Sequence, residues 1–171
     1  NALRQGVSAA VFTHVSNVFG YILPVRQLSQ LCRLYRVPFV IDAAQSAGTL
    51  PVSLEQTDAD FIAMPGHKGL LGPQGTGILL CGAHPKPLLY GGTGSASRDR
   101  DMPDFLPDRA EVGTLNVVGI AGLGAGIGYL QHKGIENIYR REHQALLRCI
   151  KDIKKKGFRV FSGDHQAATV S

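Results

Sequence analysis

Short apolar runs alternate along this chain with longer amphipathic stretches, and their order points to a fold. SAAVFTHVS (8–16) predicts a buried strand that gives way to a loop at Asn17. Pro24 then opens an amphipathic helix, with Val25, Leu28, Leu31, Cys32 and Tyr35 at helical spacing and expected on its inner face. After Pro38, FVI (39–41) predicts a short buried strand ending at Asp42, and DAAQSAG reads as a loop of small residues. ADFIAM (59–64) and TGILLCG (76–82) predict two more strands. Turn formers dominate residues 82–113, a length that points to function or an interface. NVVGIAGLGAGIGYL (116–130) returns to a helical pattern whose small residues suit close packing. A second helix is expected over about residues 135–156, with Ile138, Leu146, Cys149, Ile150 and Ile153 on one face. FRVF (158–161) reads as a further strand.

Strand, helix, strand in this order predicts an α/β domain with parallel members in its sheet. Ligands collect outside the carboxyl ends of the strands in such sheets. Asn17, Asp42 and Lys68 each follow a predicted strand, so all three are expected to face one crevice.

Composition narrows the classes. The 171 residues are 44% hydrophobic, enough for a core of about one domain. The 21 Gly and 9 Pro follow no period, as in a turn-rich globular protein. No run approaches the ~18 apolar residues of a membrane-spanning helix, so no membrane partner is expected. Cys32, Cys81 and Cys149 are too widely spaced for a disulfide framework or a zinc site. They suit a reducing cytoplasm, and each lies in an apolar run expected to bury it. The net charge of +5 is concentrated in residues 133–159, which carry nine basic and three acidic side chains. That pattern fits a solvated helix end, and nucleic acid is not an expected partner.

The glycines invite nucleotide motifs, but GxxxxGK[ST] is missing and GLGAGIG (122–128) does not keep the GxGxxG spacing. The six histidines form neither HxxxH nor HExxH, and GxSxG does not occur. What remains is a polar set at strand ends: Asn17, Asp42, Gln45, His67 and Lys68. A lysine in a glycine-rich crevice suits imine chemistry, because its ε-amine loses basicity readily on desolvation. Pyridoxal 5'-phosphate (PLP) would further need a carboxylate at its ring nitrogen and donors for its ring oxygen and phosphate. Asp42, Gln45, Asn17 and His67 have the right chemistry for these. Taken singly, each has an ordinary alternative: a surface lysine, a helix cap at Asp42, a turn residue at Asn17.

Together, THVSNVFG (13–20), IDAAQSAG (41–48), PGHKGLLGPQGTG (65–77) and EVGTLN (111–116) resemble the class V aminotransferase-like PLP enzymes, nearest to the cysteine desulfurases. The resemblance is strongest from about residue 8 to residue 130. It implies the fold type I PLP architecture, a large mixed and mostly parallel sheet flanked by helices, in a homodimer. On it, residues 1–132 would be the carboxyl-terminal half of the large domain. Residues 133–171 would be a connecting helix and the start of a small α+β domain. The resemblance also implies PLP as cofactor, L-cysteine as substrate and a sulfur-acceptor protein as partner. Lys68 matches the lysine that binds the cofactor's aldehyde and moves the substrate's α-proton. Asp42 matches the partner of the ring nitrogen, Gln45 and Asn17 the contacts of the ring hydroxyl, and His67 the neighbour of the phosphate. Thr114 matches a threonine that reaches the phosphate site of the second subunit.

The match has departures. Pro65 stands where the family usually carries Ser or Thr, and proline supplies neither hydroxyl nor N–H. One phosphate donor should then be lost, at about 1.5–3 kcal/mol of cofactor affinity. Nothing here matches the family's ring-stacking histidine, its nucleophilic cysteine loop or its carboxylate-binding arginine. The expectation is therefore a fragment of a longer enzyme, itself inactive, or a decayed one. The alternatives to cysteine desulfuration are class V aminotransfer, selenocysteine lyase chemistry and a non-catalytic remnant of the fold.

Overall fold

The computed structural model describes residues 2–92, 94–96 and 98–171. Strands β1 (Ala10–Thr13), β2 (Phe39–Asp42) and β3 (Phe61–Pro65) run parallel, and β4 (Gly77–Cys81) lies antiparallel beside β3. Spatial order follows chain order, β1-β2-β3-β4. Each strand overlaps the apolar run that predicts it, with β2 and β3 each running one residue beyond theirs, to Asp42 and Pro65. Parallel neighbours need a crossover. Helix α1 (Val25–Leu34) lies between β1 and β2, and the one-turn helix α2 (Leu54–Thr57) between β2 and β3. Ser53 caps α2 by accepting from the Gln56 N–H at 3.2 Å. The antiparallel step from β3 to β4 needs only a loop, and that loop carries Lys68.

Side chains alternate across the strands. Phe39 and Ile41 of β2 and Ile62 and Met64 of β3 enter one core, joined by Val25 and Cys32 of α1. Helix α3 (Val117–Lys133) adds Leu123 and Leu130 to the same core. The alternate positions point away from it, so Val11, Asp42, Ala63 and Leu79 are exposed. Asn116 caps α3 by accepting from the Gly119 N–H at 3.0 Å. The small residues of α3 have a clear use at Gly126, where a β-carbon would come within 2.5 Å of the Leu70 carbonyl oxygen. The helix thus rests on the backbone of the loop that carries Lys68. Gly134, at φ 78°, separates α3 from the long helix α4 (Ile135–Lys155).

Several expectations need correction. Helix α1 turns Leu31 and Tyr35 outward and buries Ser29 between Val25 and Cys32, at i, i+4 and i+7. Ser29 is tolerated there because its hydroxyl donates to the Asp58 carbonyl at 2.9 Å. Only Cys32 is a core cysteine; Cys81 is half-buried and Cys149 exposed, because α4 packs through Leu146. FRVF forms no strand. An apolar run becomes a strand only beside a partner ladder, and here Phe161 makes a single backbone bond, to Ser171 at 2.7 Å.

Candidate functional site

Asp42 closes β2, the middle of the three parallel strands, in register with Thr13 and Ala63. Its carboxylate accepts from the Ala44 N–H at 2.9 Å, which starts a turn and not a helix. The loop beyond is held at both ends. The Ala43 N–H donates to the Ala63 carbonyl at 2.8 Å, and Ser46 is completely buried with its hydroxyl 2.9 Å from Nδ1 of His14. His14 also donates its backbone N–H to the Asp42 carbonyl at 2.8 Å. Burial pushes the His14 imidazole below its ordinary pKa, so it is neutral near pH 7. One histidine therefore joins the end of β1 to both Asp42 and the loop that carries Gln45.

The Lys68 loop is also tightly closed. The Gly66 N–H donates to the Thr76 carbonyl, the Gly72 N–H to the Gly66 carbonyl and the Leu71 N–H to the Lys68 carbonyl, at 2.8, 2.8 and 2.9 Å. Gly48 and Gly69 let the two loops touch backbone to backbone, since a β-carbon on Gly69 would overlap the Ala47 carbonyl oxygen. This contact brings Gln45 and Lys68 into the wall of one cavity of about 490 Å³. Its other walls come from Glu142, Leu146 and Cys149 of α4 and from residues 167–170. Nothing local to those residues marks them as belonging to the site; only the fold brings them there.

Asn17, Asp42 and Lys68 do stand at the carboxyl edge of three neighbouring strands, as the pattern predicts. Not all of the set meets in one place. Asp42, Asn17 and His67 lie outside the wall shared by Gln45 and Lys68. All three are exposed, as is Lys68 itself, so the desolvation expected of a crevice lysine is not seen. Asn17 sits in a turn whose Val18 and Phe19 N–H groups donate to the Ser16 hydroxyl at 3.3 and 3.1 Å. Thr114 is exposed and separate, preceding a second cavity lined by Thr76, Glu111, Leu115 and Asn116.

The donor set suits PLP. Among the described residues, the amine of Lys68 and the amide of Gln45 have no hydrogen-bond partner, and one oxygen of Asp42 is unused. An unpaired amine, an amide and a carboxylate are the groups that an aldehyde, a ring hydroxyl and a protonated pyridine require. No group of three metal-ligating side chains occurs among the described residues, and no helix among them is long and apolar enough to cross a membrane.

Comparison with known proteins places the chain in a family and its fold in an architecture. The family model for class-V aminotransferases matches residues 1–171. A probable cysteine desulfurase of Methanothermobacter thermautotrophicus is 36% identical over 146 residues, covering 82% of this chain and 36% of the relative. Another, from Pyrococcus abyssi, is 36% identical over 158 residues, covering 87% and 39%. The solved apo structure of a cysteine desulfurase from Thermococcus onnurineus superposes with a TM-score of 0.87 at 33% identity, covering 97% of this chain and 44% of that one. The chain thus spans roughly two-fifths of the length of these relatives, and its sheet and helices are those of the fold type I architecture.

Proposed function

This chain belongs to the class-V aminotransferase family, and we propose that the intact protein is a PLP-dependent cysteine desulfurase. It would take sulfur from L-cysteine, leave L-alanine and pass the sulfur on as a persulfide to an acceptor protein. The observation that carries this reading is the shared wall of Lys68 and Gln45, with Asp42 outside that wall at the end of the neighbouring strand β2. Bound there, PLP would draw electrons from the substrate's α-carbon into its protonated ring. Lys68 would hold the cofactor at its aldehyde and move the substrate's α-proton. Asp42 would keep the ring nitrogen charged, Gln45 and Asn17 would hold the ring hydroxyl, and His67 would lie beside the phosphate.

Thr114 would serve the phosphate site of a second copy, which makes the protein a homodimer. This suits its exposure and its separation from Lys68. Residues 1–132 would belong to the large domain and 133–171 to the start of the small one, with Gly134 at the junction. The persulfide thiol is not assigned to Cys32, Cys81 or Cys149. The protein would work in the cytoplasm. Pro65 favours a second reading, a remnant that keeps the fold without the reaction.

The test is covalent trapping. Full-length protein is incubated with PLP, reduced with borohydride and mapped by peptide mass. A phosphopyridoxyl group on Lys68, lost in Lys68→Ala, is the expected result, together with alanine from L-cysteine in a separate unreduced sample, where added dithiothreitol releases the persulfide sulfur as sulfide. A folded protein with no label on Lys68 ends the proposal.

A further inference from the structure

We infer that Gln166 is a positioning residue that ties the turn carrying Asn17 to the segment walling the Lys68 cavity, an inference that rests on the reading above. Gln166 is only 1% exposed. Its Nε2 donates to the Phe19 carbonyl at 2.8 Å and to the Thr169 carbonyl at 2.7 Å, while its Oε1 accepts from the Gly163 N–H at 3.2 Å. One partner lies 147 residues earlier in the chain. Around this amide, the Ile22 N–H donates to the His165 carbonyl at 3.1 Å and the Ala167 N–H to the Gly20 carbonyl at 2.8 Å. The segment and the turn are therefore joined as a short ladder. Gly20 permits the join: at φ +69°, a β-carbon there would lie 2.7 Å from the Thr169 carbonyl oxygen and 2.9 Å from that of Ala167.

Residues 167–170 also line the cavity of Gln45 and Lys68. A buried amide with its donors and acceptor satisfied favours one geometry, because losing a donor leaves a carbonyl unpaired away from water. Asn17 stands in the turn fixed in this way. Its placement depends on the distant segment as well as on β1.

The test uses full-length protein carrying Gln166→Met, which keeps the side chain's size and removes both donors. Hydrogen exchange is followed over residues 16–22 and 163–171, with 61–72 as internal reference. PLP is titrated by its visible absorbance in wild type, Gln166→Met, Asn17→Ala and the double variant. Exchange over 16–22 should quicken about tenfold while 61–72 is unchanged. The dissociation constant for PLP should rise about three- to tenfold, and the double variant should bind no more weakly than Asn17→Ala alone. Unchanged exchange over 16–22, or effects of the two substitutions that multiply, overturns the inference. Gly20→Ala breaks the same join from the turn side and reads the same outcomes if Gln166→Met does not fold. Wild-type protein that takes up no PLP ends the functional reading, and exchange still decides whether Gln166 holds the turn.

Discussion

Gly48 and Gly69 meet with no room for a side chain on either: a β-carbon on Gly48 would overlap the Gly69 carbonyl, and one on Gly69 the Ala47 carbonyl. This contact makes neighbours of Gln45 and Lys68. Gly48 also has φ +89°, where a β-carbon is strained whatever the space. Gly48→Ala should therefore cost about 1–3 kcal/mol in backbone strain alone, with more from parting the loops. Chemical denaturation should show the loss, and PLP titration a weakened site. Unaltered stability and cofactor uptake would mean the loops are not packed as described.

Asp42→Asn separates the carboxylate's charge from its structural role. The Ala44 N–H still finds an acceptor, so the denaturation midpoint should stay close to wild type. If Asp42 pairs with a protonated ring nitrogen, losing that charge-assisted bond removes about 1.5–3 kcal/mol. Cysteine-dependent alanine formation should then fall about 10- to 150-fold. A variant with full activity would take Asp42 out of the site.

His14 supplies a pH signature. Burial lowers its pKa from the ordinary 6.5, so folding favours the neutral ring. Above pH 6.5 both states are neutral and its full contribution is present. As pH falls below 6.5 the unfolded chain takes up the proton first, and stability declines until the lowered folded value is reached. The decline is bounded by about 1.4 kcal/mol per pH unit. Urea midpoints for wild type and His14→Asn should differ by a constant amount above pH 6.5 and approach each other as pH falls below it. Curves that stay parallel below pH 6.5 would refute the role given to His14.

Pro65 ends β3 opposite Gly77 and offers no N–H or hydroxyl to an anion. If the phosphate lies there, Pro65→Ser should tighten PLP binding by about tenfold, the worth of one added bond near 1.4 kcal/mol. Equilibrium dialysis checks this. Unchanged or weaker binding would place the phosphate elsewhere or give Pro65 another purpose.

Much of this was legible along the chain. The runs around Ala10, Phe39, Phe61 and Gly77 became strands, because hydrophobic burial and backbone pairing act on stretches of a few residues. Asn17, Asp42 and Lys68 were found at strand ends for the same reason. α1 shows where the pattern fails: Leu31 has the spacing of a core residue, yet Ser29 is inside, since the Asp58 carbonyl satisfies its hydroxyl. FRVF has the apolar character of a strand but no partner strand among the described residues.

The sequence by itself determined the four strands and the edge of the sheet on which Asn17, Asp42 and Lys68 stand, because hydrophobic periodicity is a local property. Only the tertiary structure decided that Gln45 and Lys68 share a cavity, that α4 and residues 167–170 wall it, and that Gln166 bonds the Phe19 carbonyl in the turn of Asn17. Those outcomes depend on backbone approach and buried hydrogen bonds between residues far apart in the chain, which local pattern does not encode.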